Sequence, residues 1–201
     1  MNRQVTGAIV ALTLIIWMVP QAQAKDMRGR VGVGLEQSVA GVSGLALRYW
    51  LGESLGAQAV IGGEILQTGQ DGDKDAALHS RVAASVGVLV NVGRSLHANI
   101  GVGARAVLGF QSNLVDVEGT SGGDENTLQL GIEVPIMAEF FLSDSFSFSV
   151  ATGVRLLLPP TVGDKPILVP PSSTFTQGAS DVLVGVGAGS ILGSLGAIYY
   201  F

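Results

Sequence analysis

The chain has 201 residues, 13% of them charged and 47% hydrophobic, with a formal net charge of −5, 29 glycines and no cysteine. The missing cysteine excludes a disulfide framework, a thiolate metal site and a lipidated N-terminal cysteine. Scattered basic residues argue against a nucleic-acid partner, and so little charge is unusual for a water-exposed surface.

Residues 1–24 read as a cleavable secretory signal peptide: Arg3 gives a basic start, Ala8 to Val19 an apolar core, and Ala22-Gln23-Ala24 a small-x-small cleavage site. Lys25 is the expected first residue of the mature chain. The apolar core falls short of the roughly 20 residues that span a bilayer, which disfavours an uncleaved anchor. Residues 25–201 are then one domain.

From there to the C-terminus the pattern is alternation. Short alternating segments lie at 30–39, 43–51 and 55–66. In 78–92 Val82, Val86, Val88, Val90 and Val92 oppose Arg81, Ser85, Gly87 and Asn91, and in 95–110 Ile100, Val102 and Leu108 oppose Asn99, Gly101, Gly103 and Arg105. The file is unbroken in 127–142, where Leu128, Leu130, Ile132, Val134, Ile136, Ala138, Phe140 and Leu142 oppose a file containing Glu133 and Glu139. A further segment covers 145–158 and the last ends the chain. A period of two sustained this long means strands, because successive side chains point to opposite faces. Connections at Gly52-Glu53-Ser54, Gly93-Arg94-Ser95 and Ser143-Asp144-Ser145 are short; those near 67–77, 110–126 and 159–179 are long and polar, with a modest one near 39–43. Short turns on one side and long loops on the other predict an eight-stranded antiparallel up-and-down transmembrane β-barrel, apolar face towards lipid. Tyr49, Trp50, Phe140, Phe141, Phe146, Phe148, Tyr199, Tyr200 and Phe201 beside the short turns predict an aromatic girdle. Pro135 predicts a bulge, since it cannot donate a ladder hydrogen bond. Residues 181–201 exceed one crossing and change apolar parity, which predicts a projecting or bulged strand.

An eight-stranded barrel has a lumen that side chains fill. Its expected charged lining includes Arg30, Glu36, Arg48, Glu64, Arg81, Arg105, Glu133, Glu139 and Arg155, and such charges must pair or stay hydrated. A three-residue turn at 143–145 sets Glu133 directly opposite Arg155, a predicted structural ion pair with a gate as the alternative role. His79 and His97 fall near opposite ends of one hairpin, about 30 Å apart at 3.3 Å per residue, and cannot share a catalytic site. Asp71, Asp73 and Asp75 in "DGDKD" alternate as hard-cation ligands do, but the twelfth position is Val82, not glutamate, which favours a solvated acidic loop over a metal site. Asp116, Glu118, Asp124 and Glu125 extend an acidic rim. Ile167, Leu168 and Val169, between prolines in the third long loop, need cover from the barrel rim, from lipid or from a partner.

The C-terminal "GAIYYF", ending on Phe201, is similar to the sorting signal of bacterial outer-membrane barrels, and the plan of the chain resembles the eight-stranded OmpA/OmpX class. That resemblance implies the outer membrane of a Gram-negative bacterium, surrounding lipid, delivery by the barrel-assembly machinery, a monomer, and no cofactor. The chain stops at its last strand, so no peptidoglycan-binding domain is expected. The sequence reading is a non-catalytic barrel with a filled lumen and a structural or surface-interaction role through its loops. A small pore or conduit is the first alternative and a lipid-modifying enzyme the second.

Overall fold

The computed structural model describes residues 25–68, 77–115, 125–160, 168, 183–186 and 193–201, of which those within 66–79, 113–125 and 183–186 by their backbone alone. The signal peptide, Asp71, Asp73, Asp75, Ile167 and Val169 lie outside the described residues, as do Asp116, Glu118 and Asp124. The elements are β1 (Val31–Gln37), β2 (Ser43–Trp50), β3 (Leu55–Thr68), β4 (Ala77–Arg94), β5 (Ala98–Val115), β6 (Glu125–Phe141), β7 (Phe146–Leu157), β8 (Leu183–Val186) and β9 (Ser194–Tyr200).

Each strand from β1 to β7 pairs antiparallel with the next. β9 pairs with β7 on one side and β1 on the other, which closes the ring. β8 also pairs with β7, further along, so β8 and β9 are two pieces of one stave and the barrel has eight. Closure removes every sheet edge where the ladders are complete.

The alternation settles which face is which. Leu35 is 66% exposed and Ile132 52%, while Glu36 and Glu133 beside them are buried. In water this outward band of Leu, Ile, Val and Phe would be an aggregation surface; acyl chains cover it at no such cost. The aromatic girdle is smaller than predicted. Tyr49, Phe140, Phe148, Tyr199 and Phe201 are exposed, but Trp50, Phe141 and Tyr200 have the other parity and are buried inside.

Two local expectations are corrected. Pro135 carries no bulge. Its numbering against β5 runs on unchanged from Val102↔Ile136 to Arg105↔Glu133, and only the pairs at Gly103 and Ala104 drop out of that ladder. Gly103 makes this possible, because a Cβ there would come within 3.2 Å of the proline ring. The register shift lies instead in β4, where Asn91 faces Gly101 and Gly93 faces Ile100, leaving Val92 as the extra residue.

The parity change in the last stave has a clear geometric origin. From Val154 to Ala151 is three steps along β7, whereas their partners Val186 and Ser194 are eight apart, an excess of 8 − 3 = 5. An odd excess exchanges the two faces. Val184 and Val186 therefore stand opposite outward Leu156 and Val154, and odd-numbered Leu195 and Tyr199 point outward below them.

Candidate functional site

The strands deliver their ionised file to a common interior. β1 supplies Glu36, β2 Arg48, β5 Arg105, β6 Glu133 and Glu139, and β7 Arg155, all with 5% exposure or less. The two central guanidiniums alternate with the three carboxylates. Arg48 donates through Nη1 to Glu139 Oε1 at 2.7 Å and through Nη2 to Glu36 Oε2 at 2.9 Å. Arg105 donates through Nη2 to the other oxygen of Glu36 at 2.5 Å, and through Nη1 to Glu133 Oε1 at 3.0 Å. The result is a chain, Glu139–Arg48–Glu36–Arg105–Glu133, with Glu36 at its centre.

Uncharged groups complete it. Tyr200 and Ser147 each donate to Glu139 Oε1 at 2.7 Å, and Gln58 Oε1 accepts from Arg105 at 3.0 Å. Charges buried this deeply are stable only when paired and hydrogen-bonded, and breaking such a pair leaves an uncompensated ion. The arrangement can hold the staves together and block the lumen.

Glu133 and Arg155 do stand directly opposite each other in the β6–β7 ladder, but their charged groups bond elsewhere. Glu133 takes Arg105 on Oε1 and the backbone N–H of Ala40 on Oε2 at 2.6 Å. Arg155 donates through Nη1 to the carbonyl of Val39 at 3.2 Å. Both therefore grip the turn at residues 38–42, which joins β1 to β2. This turn folds into the barrel instead of away from it: Ser38, Val39, Ala40 and Val42 are buried, and Gly41 has φ 93°, in the left-handed region that glycine tolerates. Ser38 Oγ accepts from Val42 N–H at 3.1 Å and fixes the fold of the turn.

Leu168 adds a second cover at the same end. Its side chain is 0% exposed, and its backbone N–H donates to Gln129 Oε1 at 2.7 Å. Gln129 Nε2 in turn donates to the carbonyl of Leu158 at 3.0 Å.

Glu64 and Arg81 occupy a different place from the one expected of lumen residues. They face each other across β3 and β4 with 3.5 Å between charges, and the Glu64 side chain is 72% exposed. The ladder from β2 to β3 ends at Leu45↔Ile61, so Glu64 lies beyond the last rung of that wall. This pair belongs to the long-loop rim, where an exposed ion pair contributes little. His97 is exposed at the short-turn end, and the backbone of His79 is near the other end of β4, opposite Leu66 and Asn113. Among the described residues no cluster of His, Cys, Asp and Glu could hold a metal ion.

Sequence parity identified the charged lining but not its partners. It missed the roles of Glu36 as the shared acceptor and of Tyr200, although the outward odd file of the last stave already implies that Tyr200 points inward. The inward turn at 38–42 carries no comparable signal.

A closed eight-stave wall, apolar outside and ion-paired inside, is the architecture of a small transmembrane β-barrel with a filled lumen. No family model matches the chain, and neither does any curated protein. Among solved structures, the chain is similar to the crystal structure of Ail, the attachment invasion locus protein of Yersinia pestis. The TM-score is 0.44 and the identity 14%, over 87% of this chain and 100% of that one.

Proposed function

We propose that the chain is exported by residues 1–24 and inserted into the outer membrane of a Gram-negative bacterium as a monomeric, non-catalytic barrel. Its role is structural or surface-interactive, through the long connections at 67–77, 110–126 and 159–179, towards a partner outside the cell. The observation that carries this reading is the combination of an apolar outer band with a lumen filled by the Glu139-to-Glu133 chain and covered by the turn at 38–42. A wall of this kind needs lipid outside and offers no path inside, so the long-loop end is left to meet the surroundings. The C-terminal aromatic Phe201 supports delivery by the barrel-assembly machinery, as the sequence resemblance implies. The non-catalytic reading is supported by the two histidines standing at opposite ends of the β4–β5 hairpin.

Expression with a surface tag in the third long loop tests it. The folded, heat-modifiable form should fractionate with outer-membrane markers, the tag should be reachable on intact cells, and purified protein should give no steady conductance in planar bilayers. Recovery as a soluble periplasmic species rules out the membrane assignment. Steady conductance rules out the filled lumen and favours the conduit.

A further inference from the structure

Residues 25–30 precede β1 and turn across the short-turn mouth, where they touch all three short turns. Towards the β4–β5 turn, the Lys25 backbone N–H points at the Ser95 carbonyl, 3.5 Å away. At the β6–β7 turn, Lys25 Nζ donates to the Ser143 carbonyl at 2.9 Å, lies 3.6 Å from the Asp144 carboxylate and sits 4.5 Å from the centroid of the Phe141 ring. Arg30 donates to the Asp144 carbonyl at 2.6 Å. At the β2–β3 turn, Arg28 pairs with Glu53 at 2.8 Å, while Gly29 N–H and Arg30 C=O complete a two-way backbone contact with Trp50. Gly29, at φ 75°, supplies the left-handed step that turns the segment. Met27 in its middle is fully buried. Partial burial pulls the Lys25 ammonium below its ordinary pKa, and the Asp144 charge opposes that shift.

Inward of this segment lie three buried polar side chains, Asn91, Asn99 and Glu139. Asn99, at the start of β5, stands opposite Glu139 of β6; Asn91, near the end of β4, leans over Gly101 one pleat away. Asn91 is 94% buried and Asn99 99% buried, yet neither amide has a hydrogen-bond partner on either side-chain atom. Glu139 accepts three hydrogen bonds on Oε1 and none on Oε2. Buried amide and carboxylate atoms are satisfied by protein or by water in native structures. Here five such atoms, on three side chains of adjacent strands, have no protein partner; further in, the orphaned Nε atoms of Arg48, Arg105 and Arg155 and Nε2 of Gln58 belong to side chains bonded through their other polar atoms. Two neighbouring asparagines unbonded at both ends fit a small solvent chamber better than a side-chain plug.

We propose that residues 25–30 are a latch over a polar vestibule formed by Asn91, Asn99 and Glu139, and that lifting it admits solvent to this half of the lumen while the ion-paired half stays shut. Met27 is the bolt; the polar contacts of Lys25 and Arg30 hold it in place. The proposal goes beyond the functional reading above and needs the wall and the ion pairs but not the membrane. A soluble barrel would therefore sink that reading and leave this test intact.

The absence of cysteine from the chain makes single-cysteine labelling direct. Asn99→Cys reports on the vestibule and Val107→Cys, buried further along β5, on the region beyond it. Each is made in the full chain with the latch intact or weakened by Lys25→Ala and Met27→Gly together, refolded in detergent and exposed to a small cationic methanethiosulfonate. Only the heat-modifiable, folded band is read. Weakening the latch should speed labelling at Asn99→Cys at least tenfold and leave Val107→Cys protected. An unchanged rate at Asn99→Cys overturns the latch. Equal acceleration at both positions means general loosening and overturns it too. If the double change prevents folding, Lys25→Ala alone is judged against the same outcomes.

Discussion

Glu36 is the residue on which the interior depends most, and Glu36→Gln measures that dependence. The described lumen holds three carboxylates (Glu36, Glu133, Glu139) and three guanidiniums (Arg48, Arg105, Arg155), a balanced set. Neutralising Glu36 leaves one uncompensated positive charge. It also weakens two contacts at once, the 2.9 Å bond from Arg48 and the 2.5 Å bond from Arg105. Removing one partner of a buried pair costs about 3–5 kcal/mol, because the remaining ion has lost its water and its counter-ion together. Glutamine keeps one carbonyl oxygen for one guanidinium, so a loss near the lower end, about 3 kcal/mol, is expected. The assay is reversible urea unfolding from lipid vesicles, with Glu53→Gln as control. Glu53 meets Arg28 and Arg94 at the exposed rim, where neutralisation should change stability by less than about 1 kcal/mol. If Glu36→Gln proves no more damaging than the control, the ion-pair chain does not stabilise the barrel. A cycle with Arg105→Met then assigns the coupling: a substantial non-additive term is expected for residues in direct contact.

Other outcomes follow from the same geometry. The exchange Glu133→Arg with Arg155→Glu should not restore the thermal midpoint in detergent, because Arg105 and the Ala40 N–H both need an acceptor at position 133; full recovery would show that the cross-strand neighbours are each other's true partners. Ile132→Arg, in the middle of β6 on the outer face, should cost roughly 2–4 kcal/mol of folding stability in vesicles, and no cost would contradict a lipid-facing band. Leu168→Ala should lose about 2–5 kcal/mol in urea titration if its buried seat is occupied in solution; a change near zero would show that the third long loop does not rest on the barrel.

Much of the wall was legible because a period of two allows only one alternation of faces, and greasy and ionised files assign those faces to lipid and lumen. The same parity, carried across an odd-length turn, set Glu133 opposite Arg155. It could not say which guanidinium reaches Glu133, since arginine spans several ångströms and the lumen brings non-neighbouring strands within that reach. Arg105 and the main chain at Ala40 take the carboxylate instead. Pro135 misled for a related reason: a missing donor predicts a bulge, but two glycine partners, Gly103 and Gly153, let the strand run straight past it. The turn at 38–42 was illegible because a short run of small and apolar residues reads equally as an outward loop or an inward plug. Only the Glu133 carboxylate that takes its Ala40 N–H and the Arg155 guanidinium that reaches its Val39 carbonyl decide between them.

The circle is joined by a single short element. Among the described residues β9, seven residues long, is the one stave segment that pairs with both β1 and β7, and the Phe201 N–H still reaches the Val31 carbonyl at 2.9 Å. Until β9 is in place, β1 and β7 present two raw margins at a sequence separation of more than a hundred positions. Loop closure on that scale must come before any of the contacts that reward it. β9 is thus the keystone of the wall: while it is unpaired, the barrel is an open sheet with two bare edges.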